Sequence, residues 1–78
     1  MIICVKLENR EKKLEFLLDV LARCEGFRLC NEGNPVTYWI DVPEDVTVES
    51  IRNIEVVVDA VESSITQPEL YSWHTIRR

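Results

Sequence analysis

Residues Val36-Thr-Tyr-Trp-Ile-Asp-Val42 alternate without a fault between two faces, follow the turn formers Glu32-Gly-Asn-Pro35, and stop at Pro43. Val36, Tyr38, Ile40 and Val42 share one side; Thr37, Trp39 and Asp41 share the other. β-Branched and aromatic side chains at a period of two suit a pleated strand with one buried face, and the turn formers before it call for a hairpin. A chain that contains this strand is committed to a sheet, and the remaining residues must supply its partners and its cover.

Three further segments read as partners. Ile2 to Leu7 alternates, with Ile3, Val5 and Leu7 on one face and Ile2, Cys4 and Lys6 on the other. Phe27, Leu29 and Asn31 alternate with Arg28, Cys30 and Glu32 on the near side of the hairpin. After Gln67-Pro68, Leu70, Ser72, His74 and Ile76 alternate with Tyr71, Trp73 and Thr75 as a last strand. Between the first two lies a helical stretch. Asn9 is a good N-cap, Leu14, Leu17, Leu18, Leu21 and Cys24 follow at helical spacing, and Gly26 can end the helix in a left-handed cap.

Val46 to Ile65 is ambiguous, because Val56-Val57-Val58 has strand propensity while the wider pattern has helical period. Ile51, Ile54, Val57, Val58, Val61 and Ile65 fall on one helical arc, and Arg52, Glu55, Asp59, Glu62 and Ser63 on the opposite one, with only Val56 misplaced. The wider pattern predicts a helix, capped by Asp45 or Thr47 and carrying Glu49 at its positive end. The alternative ends this helix near Ile54 and turns Val56 to Val61 into a fifth or edge strand, with the C-terminal segment as an appendage.

The resulting order, β-α-β-β-α-β, predicts an α+β class: a ferredoxin-like sandwich of four antiparallel strands with two helices on one face. The 78 residues leave room for one core, so a single domain spanning 1–78 is expected. So short a chain buries a modest fraction of its surface, which makes a homodimer an expected supplement to its stability. No apolar run approaches the roughly 18 residues that span a bilayer, and the opening residues lack the basic start of a signal peptide, so the expectation is a cytoplasmic protein with no membrane role.

Charge is unevenly spread. Residues 41–62 hold seven acids (Asp41, Glu44, Asp45, Glu49, Glu55, Asp59, Glu62) and one base, Arg52, for a net −6, whereas the rest of the chain holds seven acids and eight bases, for +1. The helical reading arrays Glu49, Glu55, Asp59 and Glu62 as an acidic surface suited to a partner protein with a basic face. A second candidate surface is the sheet face left open by two helices on one side. It carries Cys4, Arg28, Cys30 and Trp39, with Tyr71 and Trp73 beside them, and Trp and Tyr are enriched in binding hot spots.

Other functions find less footing. Cys4, Cys24 and Cys30 are odd in number and match no zinc or redox spacing, so no metal or cofactor is expected. The thiol–imidazole pair needed for a nucleophilic site would have to join His74 to Cys4 or Cys30, yet His74 shares parity with Leu70 and Ile76, away from the cysteine face. No catalytic residues are assigned. An open aromatic sheet suggests the RNA-recognition module, but Val36–Val42 lacks its basic-aromatic signature and the net charge of −5 repels phosphate. Arg28, Lys6, Arg77 and Arg78 could form only a local basic edge. Copper carriers and acylphosphatases of this topology need a Cys-x-x-Cys or a Gly-rich loop after the first strand, and Val5-Lys-Leu-Glu-Asn9 has neither. The sequence therefore points to a non-enzymatic protein-interaction module, an adaptor or a viral-type acidic inhibitor of a nucleic-acid-handling complex. The competing class is an ACT-like small-molecule sensor acting as a homodimer, although Leu7-Glu-Asn-Arg10 is a poor match to that family's first turn.

Overall fold

The computed structural model describes residues 1–31, 34–63 and 72–78. In chain order its elements are β1 (Ile2–Leu7), a 3-10 turn (Arg10–Lys12) leading into α1 (Lys13–Leu21), β2 (Gly26–Cys30), β3 (Thr37–Asp41), α2 (Val48–Arg52), β4 (Val57–Glu62) and β5 (His74–Arg77). The strands form one sheet in the order β4-β1-β3-β2-β5, antiparallel at every step. The α+β class with two helices stands as expected. The four-stranded ferredoxin-like sheet does not: there are five strands, with β5 added outside β2.

The long second helix is the main correction. α2 is only Val48–Arg52, and the valines that follow run extended in β4, paired with β1. The reason lies in a β-bulge. Lys6 faces Asp59 and Leu7 faces Val57, which leaves Val58 as the extra residue. One inserted residue sets the buried positions of β4, Val57 and Ala60, three apart. Continued back through Ile54 and Ile51, both buried, that spacing imitates a helical period, while the β-branched side chains favour the strand. Val58 and Val61, expected inside, are 59% and 48% exposed, and Val56, the misfit of the helical reading, is buried.

One core lies between the sheet and both helices. Ile3, Val5 and Leu7 of β1, Phe27 and Leu29 of β2, Tyr38 and Ile40 of β3, and Val57 and Ala60 of β4 join Phe16 and Val20 of α1 and Ile51 of α2 in a single cluster. Since each strand contributes one parity, the helices share one face of the sheet, and among the described residues no helix or strand packs over the other, the open face. α1 is rotated from the expected setting: Phe16 and Val20 point in, Leu17 and Leu21 are half-buried, and Leu14 and Leu18 stand outside at 67% and 59% exposure. Leucine spacing gave several overlapping stripes, and the bulky aromatic at position 16 takes the core because it removes the most apolar area from water.

Local hydrogen bonds account for the connections. Asn9 caps the 3-10 turn, its Oδ1 accepting from the Glu11 amide at 3.0 Å, and Thr47 caps α2, its Oγ1 accepting from the Ser50 amide at 3.1 Å. In the hairpin, Asn34 Oδ1 accepts from the Val36 amide at 2.9 Å, and Asn31 Nδ2 donates to the Asn34 and Thr37 carbonyls. Gly26 is not the left-handed cap expected of it. α1 ends at Leu21, and Gly26 opens β2 opposite Arg77, where a Cβ would sit 3.1 Å from the Ile76 carbonyl oxygen and 3.3 Å from the Arg77 Cβ. Its lack of a side chain is what lets β5 lie close.

Candidate functional site

Register sorts the open face into rows that run across the strands. In the middle row, Val61 of β4 faces Cys4 of β1, Cys4 faces Trp39 of β3, and Trp39 faces Cys30 of β2. On one side lies a polar row, Asp59, Lys6 and Thr37; on the other lie Asp41, Arg28 and Thr75. An apolar band is thus bordered by charged side chains, the distribution found in protein interfaces, where an apolar centre is ringed by a polar rim.

The band is unevenly accessible. Val61 is exposed, Cys4 and Trp39 are half-buried, and Cys30 is fully buried although it lies on the open side. Trp73, immediately before β5, lies at that covered end. The Arg28 guanidinium sits 5.2 Å from its ring centroid, within reach of a cation–π interaction. Arg28 also donates through Nε and a terminal nitrogen to Oδ2 of Asp41, its cross-strand neighbour, and the amino terminus lies 3.6 Å from Oδ1 of the same carboxylate. The aromatic end of the face is therefore held by Arg28, which is gripped on both sides. The Trp73 indole N–H is buried and has no hydrogen-bond partner among the described residues.

The residues expected from sequence divide as follows. Cys4, Arg28, Cys30, Trp39 and Trp73 do come together on the open side, whereas Tyr71 lies outside the described residues. The acidic helix does not exist. Glu49 is on α2, Glu55 lies in the turn after it, and Asp59 and Glu62 lie on β4 with opposite parity, Asp59 on the open face and Glu62 opposite Ile3. The four remain on the α2–β4 side of the molecule but form no stripe. Lys6 pairs across the sheet with Thr37 and Asp59, so it is no part of the basic edge proposed with Arg28, Arg77 and Arg78.

The Cys4 and Cys24 thiols are held in their neutral form. Burial pushes the Cys4 thiol above its ordinary value, with the Asp59 carboxylate adding to the rise, and burial likewise raises Cys24. His74 stands opposite Leu29, on the other side of the sheet from Cys4 and Cys30, and is exposed. Among the described residues no three His, Cys, Asp or Glu side chains converge as a metal set, and no helix is long and apolar enough to cross a membrane.

Sequence reasoning missed two features of this surface. The helical pattern puts Val58 and Val61 in the core, and the bulge that turns them out leaves no mark in composition. A hollow of about 740 Å³ at the β2–β5 end of the open face also escaped it; Gly26 lies in its wall with Arg28, Asp41, Pro43, Arg77 and Arg78. The adjacent Arg77-Arg78 pair was the available signal. No family model, curated protein or solved structure matches the chain.

Proposed function

We propose that the protein is a small non-enzymatic protein-binding module that docks by the open face of its sheet, with Trp39 at the centre of the contact. The observation that carries this reading is the row Val61–Cys4–Trp39, an apolar band between charged rows, with Val58 and Val61 left bare at its β4 end. Burying such a band against a partner removes apolar area from water, and Trp is the side chain that most often dominates such a contact. The partner surface that fits is apolar in the middle and basic toward β4, because residues 41–62 carry a net −6 and Asp59 and Glu62 flank the bare valines.

The test is recovery of binding partners from the source cell with the wild-type chain and with Trp39→Ala and Val61→Lys, each checked for its fold by circular dichroism. The reading requires a partner that both folded variants lose and whose capture weakens with salt. Equal capture by all three chains refutes it, as does a small molecule that raises the melting temperature while no protein does.

A further inference from the structure

The two edges of the sheet are finished differently. On β4 the ladder to β1 is phased by the Ser63 amide, which donates to the Ile2 carbonyl at 2.8 Å, so Ala60 turns its N–H and C=O outward. Both groups are occupied by side chains: the Asp59 carboxylate accepts from the Ala60 N–H at 2.9 Å, and Arg52 donates to the Ala60 carbonyl at 2.8 Å. With the bulge at Val58, this edge is blocked at Ala60 in the ways natural edges usually are, while the same phase turns the Glu62 main chain outward as well.

On β5 the phase is set by the Arg78 amide, which donates to the Glu25 carbonyl at 3.2 Å. Ile76 and His74 therefore bond to β2, and Thr75 and Arg77 turn their main-chain groups outward. Among the described residues nothing occupies those groups, and no strand lies beyond β5. The exposed edge carries His74, Arg77 and Arg78 and no acid. Next to it the hollow over Gly26 opens between Arg77 and the Arg28–Asp41 pair, with Glu25 also in its wall. Arg78 is already committed, its guanidinium donating to the Leu21 carbonyl at 2.6 and 3.0 Å at the negative end of α1, whereas Arg77 has no side-chain partner among the described residues.

We infer that β5 accepts an extended acidic segment of a partner protein as a sixth strand, with one of its carboxylates seated over Gly26 against Arg77. Main-chain bonds to Thr75 and Arg77 give such a segment its purchase, and the basic edge selects its charge. The surface adjoins the Trp39 band only through the row Asp41, Arg28 and Thr75, and substitutions at Arg77 or Thr75 leave Trp39 and Val61 in place, so either site can fail without the other. A second copy of the chain is the poorer occupant, because β5 against β5 gathers Arg77 and Arg78 from both copies and β4 is closed at Ala60.

The experiment uses a short synthetic peptide of alternating Glu and Val, with a Lys–Val peptide as its counterpart, titrated into isotope-labelled protein and read by amide chemical shifts. The Glu–Val peptide should perturb Thr75, Ile76 and Arg77 and slow exchange of the Thr75 and Arg77 amides, and the Lys–Val peptide should not. Arg77→Glu should weaken binding by about tenfold or more, the size of one charge-assisted hydrogen bond. Thr75→Pro removes an outward N–H without touching the β2 ladder, so it should keep the fold and lose the peptide. The inference is overturned by any of these results: no binding, equal binding of both peptides, undiminished binding to folded Thr75→Pro, a dimer in solution that buries β5, or inorganic phosphate reproducing the peptide's shifts.

Discussion

Arg52 of α2 reaches across to β4 and donates to the Ala60 carbonyl at 2.8 Å, tying the short helix to the one strand edge it can shield. The same arginine lies 3.5 Å from Glu49 one turn earlier, an exposed pair worth at most about 1 kcal/mol. Its bond to the strand has the larger structural consequence, because with Asp59 it covers a main-chain donor and acceptor that would otherwise invite a second sheet.

The double variant Arg52→Ala, Asp59→Ala should therefore self-associate. Each substitution strips the cover from one main-chain group of Ala60, costing about 1 kcal/mol, and together they present an uncapped edge with Val58 and Val61 beside it. Sedimentation velocity over a range of concentrations reads the outcome. Identical behaviour of the variant and the wild-type chain would show that the caps do not guard this edge.

The rotated setting of α1 separates two residues that helical spacing treats alike. Phe16→Ala empties a fully buried aromatic site and should cost about 3–5 kcal/mol, a large share of the roughly 5–15 kcal/mol that holds a small domain together. Leu18→Ala removes a side chain that is mostly in water and should change stability by no more than about 0.5 kcal/mol. Urea melts of the two variants check the setting: comparable losses would mean that the leucine stripe, not Phe16, faces the sheet.

These cases mark how far the residues alone could be read. The strands read over Ile2–Leu7, from Phe27 onward and over Val36–Val42 were legible as β1, β2 and β3 because strict alternation and turn formers coincide there, and their parity placed Cys4, Arg28, Cys30 and Trp39 on one face. Val57–Glu62 was not, because an extra residue in the ladder spaces its buried positions three apart and mimics a coil. The alternative strand reading from Val56 was the sounder one, since β-branched runs resist helix whatever their spacing. Gly26 misled for a different reason: a glycine just past a helical pattern suggests a cap, and only a neighbouring strand reveals that its missing side chain serves close approach.

That close approach can be tested by filling it. In Gly26→Val the new Cβ meets the Ile76 carbonyl and the Arg77 Cβ, both on β5, and the branched methyls add further volume. Overpacking of this kind costs about 1–3 kcal/mol, and here the short edge strand should absorb it by loosening from β2. Hydrogen exchange should quicken at His74 and Ile76 and stay slow at Ile3 and Ile40 of the sheet centre. Unchanged protection of β5 would mean that the strand shifts outward at no cost.

Alkaline pH gives a test with a defined sign. Burial holds the Cys4 and Cys24 thiols above their ordinary value of 9.0 and the Tyr38 phenol above 10.0, with Asp59 also raising Cys4. Below about pH 9 both folded and unfolded chains keep these protons, and the groups contribute no pH dependence. Above it the unfolded chain loses its thiol protons first, so stability should fall as pH climbs from 9 through the raised folded values, with Tyr38 joining from 10. Melting temperatures measured across this range for the wild type and for Cys4→Ala, Cys24→Ala should diverge above pH 9, the variant losing less stability than the wild type. Asp59→Asn should remove one cause of the Cys4 shift and quicken its alkylation near pH 8. Superimposable alkaline melts of the wild type and the double variant, which keeps Cys30, would show that neither Cys4 nor Cys24 is buried enough to resist ionisation.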